Sequence, residues 1–180
     1  MENIKYTSKG KTYYDVKGIF QPDPRWSIFE GAGSLDQYIE KFLFPECLGP
    51  DVDKTLLEQE VLIKKLLLNG YFEYEFITVA IHNSFLMFEV GLKIYFKNLT
   101  GTEFQGTLHK LIEQYEKLSI INRENRSVLD MIRHIRNHFA HPKAYTVVPP
   151  AVIGIIKLVL TVINDLEKIH KERSSAVENI

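Results

Sequence analysis

The 180-residue chain is 45% hydrophobic and carries a formal net charge of −1. This composition suits one compact domain with a single core, and it excludes a disordered or fibrous protein. The near-neutral charge excludes a globally basic coat for nucleic acid, although a local basic patch would be hidden in such a total. The single cysteine, Cys47, rules out an internal disulfide framework and favours a reducing, intracellular setting.

The first thirty-three residues are expected to form an N-terminal extension of the main core. Residues 4–7 and 12–16 have the composition of two short strands, and Gly10 between them can supply the positive φ of a tight turn. Proline and glycine then interrupt regular structure up to residue 33. We therefore predict a small β-hairpin or an extended segment in residues 1–33.

Residues 34–180 are predicted to form an all-α, up-and-down bundle of about five or six helices. Ser34 followed by Gln37 is a capping-box pattern that begins the first helix, and Asp53 suits the N-cap of the second. The third helix, over about residues 71–96, is apolar on nearly every side. It should therefore be the central helix of the bundle.

Three further helices complete the predicted bundle. Thr102 with Gln105 predicts the N-cap of the fourth helix, and either Asn122 or Asn125 begins the fifth. After a short loop, Pro149-Pro150 suits the first turn of a sixth helix, which should run to about Lys171.

No membrane or targeting segment is expected. Residues 1–10 lack the apolar run of a signal peptide. The longest apolar runs, such as residues 151–163, are interrupted by Gly154 and Lys157 and are expected to be too short to span a bilayer. A cytoplasmic protein is the expectation.

Residues 130–142 combine polar chemistry with an apolar helical face. Pro142 cannot continue a helix, so the fifth helix should end at or just before His141. Asn137 and His141 stand four residues apart and share a face, while Arg136 lies about 100° away around the helix. These three side chains can therefore meet one small ligand at the end of the helix.

This combination of side chains is what RNA cleavage needs. An imidazole can remove or donate a proton near neutrality, an arginine offers a planar fork to phosphate, and an asparagine amide can orient either group. The 2′-hydroxyl would attack the adjacent phosphorus, and no metal or other cofactor is required. Because one histidine cannot easily act at both ends of an in-line displacement, a two-fold dimer that joins two motifs would supply the second one.

The motif Arg136-Asn137-His138-Phe139-Ala140-His141 resembles the hallmark of the HEPN superfamily, which consists of four-to-five-helix domains found in many prokaryotic toxins and defence ribonucleases. The segment Ile-Arg-Asn-His-Phe-Ala-His-Pro is also similar to the matching part of mannitol operon repressor-like proteins. The resemblance covers about residues 71–171.

The resemblance implies a metal-independent endoribonuclease that acts as a homodimer. Arg136 and His141 would be essential and Asn137 would support them. An acidic residue on the first helix of the family domain often pairs with the motif arginine, and Glu89 is the candidate. A toxin or antiphage role, with an antitoxin or regulatory partner, is implied as well. The alternative is a non-catalytic dimerisation or regulatory module, because an arginine and an asparagine at a helix end can also serve structure alone.

Two other readings involve the neighbouring histidines. Arg133 and His138, with His134 between them, form a second arginine–histidine pair, but His138 would lie inside the helix. These three residues are expected to flank the site and support substrate binding. His134, His138 and His141 also stand at a spacing that could hold zinc. The adjacent arginines repel a cation, so no metal site is expected.

RNA is the expected substrate, although the charge around the motif is not by itself evidence for RNA binding. Residues 103–143 are only mildly basic, which permits contacts with a few phosphates near the motif. Tyr13, Tyr14 and Trp26 could stack on unpaired bases, but they are more typical of packing residues that cover a bundle.

Overall fold

The computed structural model describes residues 5–8, 11–14, 21–45, 47–140 and 148–178. Within these ranges the chain forms a bundle of α-helices, as the helical periodicity predicts. Its elements are β1 (Lys5–Ser8), β2 (Lys11–Tyr14), a 3₁₀-helix (Pro24–Ile28), α1 (Leu35–Phe42), α2 (Lys54–Asn69), α3 (Glu75–Thr100), α4 (Leu108–Lys117), α5 (Arg123–Phe139) and α6 (Pro149–Glu178). The strands β1 and β2 are antiparallel, with Tyr6 opposite Tyr13. Residues 9–10, which join them, lie outside the described ranges.

The helix α3 is the centre of the bundle, as its apolar composition predicts. It packs against α2 and α6 along its length and also contacts α4 and α5. Gly91 permits the close approach, because a Cβ atom there would lie 2.2 Å from Cδ1 of Ile163 and 3.6 Å from Cδ1 of Leu56. One helix therefore fixes the relative positions of α2, α4, α5 and α6.

Side-chain caps explain where three of the helices begin. Ser34, Asp53 and Asn122 each accept a hydrogen bond from a backbone N–H two or three residues further along the chain. These bonds satisfy amide groups that have no partner inside the helix. The predicted caps of α1 and α2 are confirmed, and of the two candidates for α5 it is Asn122.

The predicted start of the fourth helix is wrong. The central helix α3 continues to Thr100 and ends at Gly101, which has a φ of 72°. Gly106, with a φ of 155°, then prevents a helix that starts at Thr102 from continuing. The N-cap of α4 is Thr107 instead, and its Oγ1 accepts from the N–H of Lys110 at 3.4 Å.

The last helix is longer than the sequence pattern predicts. The helix α6 continues past the expected end near Lys171 and reaches Glu178. Contacts with distant parts of the chain hold this extension. Lys171 Nζ lies 2.5 Å from Asp51 Oδ2, and Arg173 Nη2 donates to the carbonyl oxygen of Ser119 at 2.7 Å.

Two helices are long and apolar enough to cross a membrane, judged by length and composition alone. They are α3 and the part of α6 over Pro149–Ser175. Half of each apolar window is buried inside the protein, and a core helix of a bundle has the same composition. Helix length therefore does not support the expectation that the apolar runs are too short to span a bilayer.

Trp26 is a packing residue of the core. Its side chain is buried, and its Nε1 donates to the carbonyl oxygen of Gly70 at 2.9 Å. Its ring lies 4.7 Å from the ring of Tyr38 and 5.2 Å from that of Phe42, measured between centroids. This buried position excludes Trp26 as a platform for nucleic-acid bases. The side chains of Tyr13 and Tyr14 lie outside the described part of the chain.

An ion-pair clamp joins the 3₁₀-helix to the start of α3. The guanidinium of Arg25 contacts Asp23 Oδ2 and Glu75 Oε1, each at 2.7 Å. Asp23 is buried and also accepts from the N–H of Tyr74 at 3.2 Å. The hydrogen bond from Arg25 is the largest influence on this carboxyl and lowers the pKa of Asp23 to about 2.

Candidate active site

The described part of the motif lies on the last turns of α5. Leu129 and Ile132 are buried and hold the helix against the core. Phe139 anchors its end on α3, because its ring lies 5.8 Å from the ring of Phe85. The helix ends at Phe139. His141 and Pro142 lie outside the described residues, and with them the predicted meeting of His141 with Arg136 and Asn137 at one ligand.

An ion pair between α3 and α5 holds the motif arginine. Arg136 Nη2 lies 3.5 Å from Glu89 Oε2. The other carboxylate oxygen of Glu89 contacts Lys93 Nζ at 2.9 Å. The pairing that the family resemblance suggested for Glu89 is therefore present as a contact, and its role in catalysis stays a prediction.

Asn137 contacts the same guanidinium from its own helix. Its Oδ1 accepts from Arg136 Nη1 at 3.3 Å. The two terminal nitrogens of Arg136 are thus oriented by different partners, one on α3 and one on α5. The side chain of Arg136 is still 38% exposed, so a ligand can reach the guanidinium.

An open pocket of about 300 Å³ lies beside this guanidinium. This volume is at the lower end of the roughly 300–1,000 Å³ that is usual for small-ligand clefts. The pocket is formed where α3, α5 and the start of α4 meet, and it is lined by Glu89, Gly106, Thr107, Leu108, His109, Arg133, Arg136 and Asn137. Four of the residues singled out from the sequence therefore share one pocket. His134 and His138 are not among the lining residues.

His109 is the ionisable pocket residue that the sequence did not single out as part of a site. Its side chain is 49% exposed, its Nε2 lies 3.5 Å from Glu113 Oε1, and its Nδ1 lies 4.0 Å from Asp130 Oδ1. From the sequence it reads as a polar residue at a helix edge. Its position near Arg136 arises only because α4 packs against α5, and no local pattern shows that contact.

Asp130 organises the positive charges along α5. It accepts from Arg133 Nε at 2.9 Å and from Arg126 Nε at 3.4 Å. Burial alone would raise the pKa of Asp130, but the hydrogen bonds from the two arginines outweigh this effect and hold the pKa below its ordinary value. Asp130 is therefore a stable negative charge beside the pocket, and it fixes the orientation of Arg133.

The contacts of His134 do not favour a metal ligand. Its Nε2 lies 2.9 Å from Nη2 of Arg133, and a guanidinium at that distance opposes a cation on the same nitrogen. In the described residues, the group of side chains close enough to share a metal ion is Asp23, Glu73 and Glu75. Arg25 already contacts two of these three carboxylates.

A larger cleft of about 490 Å³ lies elsewhere, along α2. Leucine is the commonest residue of its lining, and Glu60, Lys64 and Lys65 are the charged members. Glu60 and Lys64 form an ion pair at 2.9 Å, and the carboxylate of Glu60 also accepts from the N–H of Cys47. Because the carboxylate of Glu60 and the ammonium of Lys64 are engaged in the fold, the smaller pocket beside Arg136 is the better candidate for chemistry.

The pocket beside Arg136 brings together a partly exposed guanidinium, an amide and an imidazole. Such a set can bind a phosphate group and transfer protons at its oxygens. Comparisons of the chain with family models, curated proteins and solved structures gave no match.

Proposed function

We propose that the protein is a metal-independent endoribonuclease with an HEPN-like fold, acting as a homodimer in the cytoplasm. The observation that carries this proposal is the guanidinium of Arg136. Glu89 and Asn137 orient it, and it borders an open pocket. A guanidinium fixed in this way is suited to the charge that develops on phosphoryl oxygens.

In the proposed reaction, His141 removes the proton of a ribose 2′-hydroxyl. The 2′-oxygen forms a bond to the adjacent phosphorus, the bond from phosphorus to the 5′-oxygen breaks, and the leaving oxygen takes up a proton. The products are a 2′,3′-cyclic phosphate and a 5′-hydroxyl end. Arg136 stabilises charge on the non-bridging oxygens and Asn137 orients the phosphate. Arg133, His134 and His138 flank this site and assist RNA binding.

A homodimer would bring a second copy of the motif to the same cleft. Two features support the proposal of a homodimer: the resemblance of the motif to HEPN domains and the apolar surface of α3, the helix that carries Glu89. Phe76, Val79 and Leu86 are exposed along α3. By the same resemblance, we propose a toxin or antiphage role, with an antitoxin or regulatory protein as a further partner.

The second candidate is a non-catalytic module that joins subunits or binds a regulator, as in mannitol operon repressor-like proteins. The exposed apolar residues of α3 also suit this function. In addition, Arg133 and Arg136 are each paired with a carboxylate. In such a module, the ion pair of Glu89 with Arg136 would hold α3 and α5 together and would have no catalytic role.

Cleavage of labelled single-stranded RNA in EDTA separates these two candidates. The nuclease proposal expects cleavage by the purified chain and a loss of at least about a hundredfold in Arg136→Ala and His141→Ala. Arg123→Ala is the matched control, because Arg123 is exposed at the other end of α5. A folded chain that leaves RNA intact, together with variants that keep its binding function, would favour the module.

Metal analysis tests the alternative hypothesis that His134, His138 and His141 bind zinc. Protein purified without chelator should contain no stoichiometric zinc. One zinc ion per chain, lost when His134 or His138 is replaced, would contradict the proposed mechanism.

A further inference from the structure

His109 places a second imidazole in the pocket of the motif arginine. It comes from α4, whereas Arg136 and Asn137 come from α5, and all three line the same open space of about 300 Å³. About half of the His109 side chain is exposed. A ligand held by Arg136 would therefore find an accessible imidazole from the same protomer.

Charged side chains lie around His109. Glu113 Oε1 lies 3.5 Å from its Nε2 and Asp130 Oδ1 lies 4.0 Å from its Nδ1. Arg133 and Arg136 line the same pocket, where Asp130 pairs with Arg133 and Glu89 pairs with Arg136. Neither the Glu113 nor the Asp130 carboxylate lies within the normal hydrogen-bond range of about 2.7–3.2 Å, so neither holds a ring nitrogen in a short hydrogen bond.

We propose that His109 is a catalytic residue that donates the proton to the leaving 5′-oxygen of RNA. This inference rests on the proposed ribonuclease function and assigns its second proton transfer. As the bond between phosphorus and the 5′-oxygen breaks, the proton on His109 passes to that oxygen, and the neutral imidazole takes up a proton from solvent before the next turnover. The charge of the leaving alkoxide is thereby neutralised.

This assignment changes what the second subunit must supply. In the proposed reaction the motif supplies one catalytic histidine, His141, so a single motif lacks a separate acid and base. With His109 as the acid, one protomer holds a proton donor and the phosphate-binding arginine together. A dimer would then serve assembly or RNA binding, and the partner's histidine is not needed at the leaving group.

The test compares two substrates with the full-length chain. One is a short natural RNA, whose alkoxide leaving group needs a proton. The other is a nucleoside 3′-(4-nitrophenyl phosphate), whose phenolate departs without one. For His109→Ala we expect a loss of about 10²–10⁴-fold with RNA, the usual contribution of a general acid, and a much smaller loss with the nitrophenyl ester. Arg136→Ala should reduce both reactions alike, because both need charge stabilisation at the phosphoryl oxygens.

Two further variants serve as controls for the effect of His109→Ala. Lys110→Ala removes the neighbouring exposed cation of α4, which does not line the pocket, and it should leave both rates unchanged. His109→Asn preserves polar contacts without a titrating group and should behave like His109→Ala. Equal losses on both substrates, or no loss in either His109 variant, would overturn the assignment while Arg136→Ala still supports the nuclease. A wild-type chain that cleaves neither substrate would overturn both proposals.

Discussion

Glu89 on α3 and Arg136 on α5 form an ion pair across 47 residues of sequence, with 3.5 Å between Oε2 and Nη2. Lys93 contacts the other oxygen of the same carboxylate at 2.9 Å. Glu89 therefore bridges two cations, one on its own helix and one on the motif helix. This bridge connects the central helix of the bundle to the residue that the proposed chemistry needs most.

Arg136→Lys tests whether the planar fork matters as well as the charge. Lysine keeps the positive charge, but it cannot present two parallel N–H groups to a phosphate. We expect RNA cleavage to fall by roughly 10²–10³-fold, the range seen when a transition-state donor is lost. The measurement is kcat/KM on a fixed RNA substrate, with the unfolding midpoint as a check of the fold. Arg123→Lys on the same helix should keep full activity, and cleavage by Arg136→Lys at the wild-type rate would contradict the role.

Glu89→Gln tests the ion pair as a positioning device. Glutamine keeps the shape but loses the charge that holds Arg136, so the guanidinium should lose its fixed orientation. We expect kcat to fall by at least about tenfold, while stability changes by less than about 1 kcal/mol, as is usual for partly exposed ion pairs. Parallel kinetics and urea unfolding measure both quantities. Unchanged kcat would show that Glu89 does not position the arginine for catalysis, and a large loss of stability would indicate a structural role.

The sequence predicted the local features of this fold well. The caps at Ser34 and Asp53 are read from side chains two or three residues away from the amides that they satisfy. The central position of α3 follows from its apolar composition on nearly every side. Arg136 and Asn137 are neighbours in sequence, so their contact was also within reach of a local argument.

The features that the sequence did not predict depend on contacts between distant residues or on the backbone conformation of a glycine. Thr102 and Gln105 make a good capping pattern, but the conformation of Gly106 moves the start of α4 to Leu108. The end of α6 was placed too early because Arg173 finds its partner at Ser119, far away in sequence. His109 reaches the motif only through the packing of α4 on α5.

Glu60 offers a test of how the segment before α2 is held. This buried carboxylate accepts from the N–H groups of Cys47 at 2.8 Å and Leu48 at 3.3 Å. Glu60→Ala leaves both donors without this acceptor, which should cost roughly 2 kcal/mol of unfolding free energy. Urea unfolding measures the change. Glu58→Ala on the same helix is the matched control, because its partner Lys54 is 3.7 Å away and both side chains are exposed. Equal effects of the two substitutions would contradict the account.

The clamp of Asp23 and Arg25 predicts an acid-sensitive contribution to stability. The pKa of Asp23 is lowered from 3.8 to about 2, first by the hydrogen bond from Arg25. A lowered pKa stabilises the folded state fully above pH 3.8, and this contribution is lost as the pH falls towards 2. The shift corresponds to about 2 kcal/mol at neutral pH.

Glu75 also has a pKa lowered to about 2, with the Arg25 hydrogen bond as the largest cause. Its side chain is largely exposed, so solvent screening reduces its share.

Urea unfolding of the wild type and Asp23→Asn between pH 2 and pH 7 measures this contribution. The two proteins should differ by about 2 kcal/mol at pH 7 and should converge towards pH 2. A difference between them that does not change with pH would contradict the role of the Asp23 charge.

The proposed ribonuclease mechanism can be tested by identifying the RNA ends that the purified chain produces in EDTA. A DNA strand that contains a single ribonucleotide has one 2′-hydroxyl and therefore allows attack at only one position. The proposed mechanism predicts metal-independent cleavage on the 3′ side of that ribonucleotide, with a 2′,3′-cyclic phosphate on one product and a 5′-hydroxyl on the other. Arg136→Ala should not produce these ends. Cleavage that requires Mg²⁺, or that continues in a fully 2′-deoxy strand, would contradict the account.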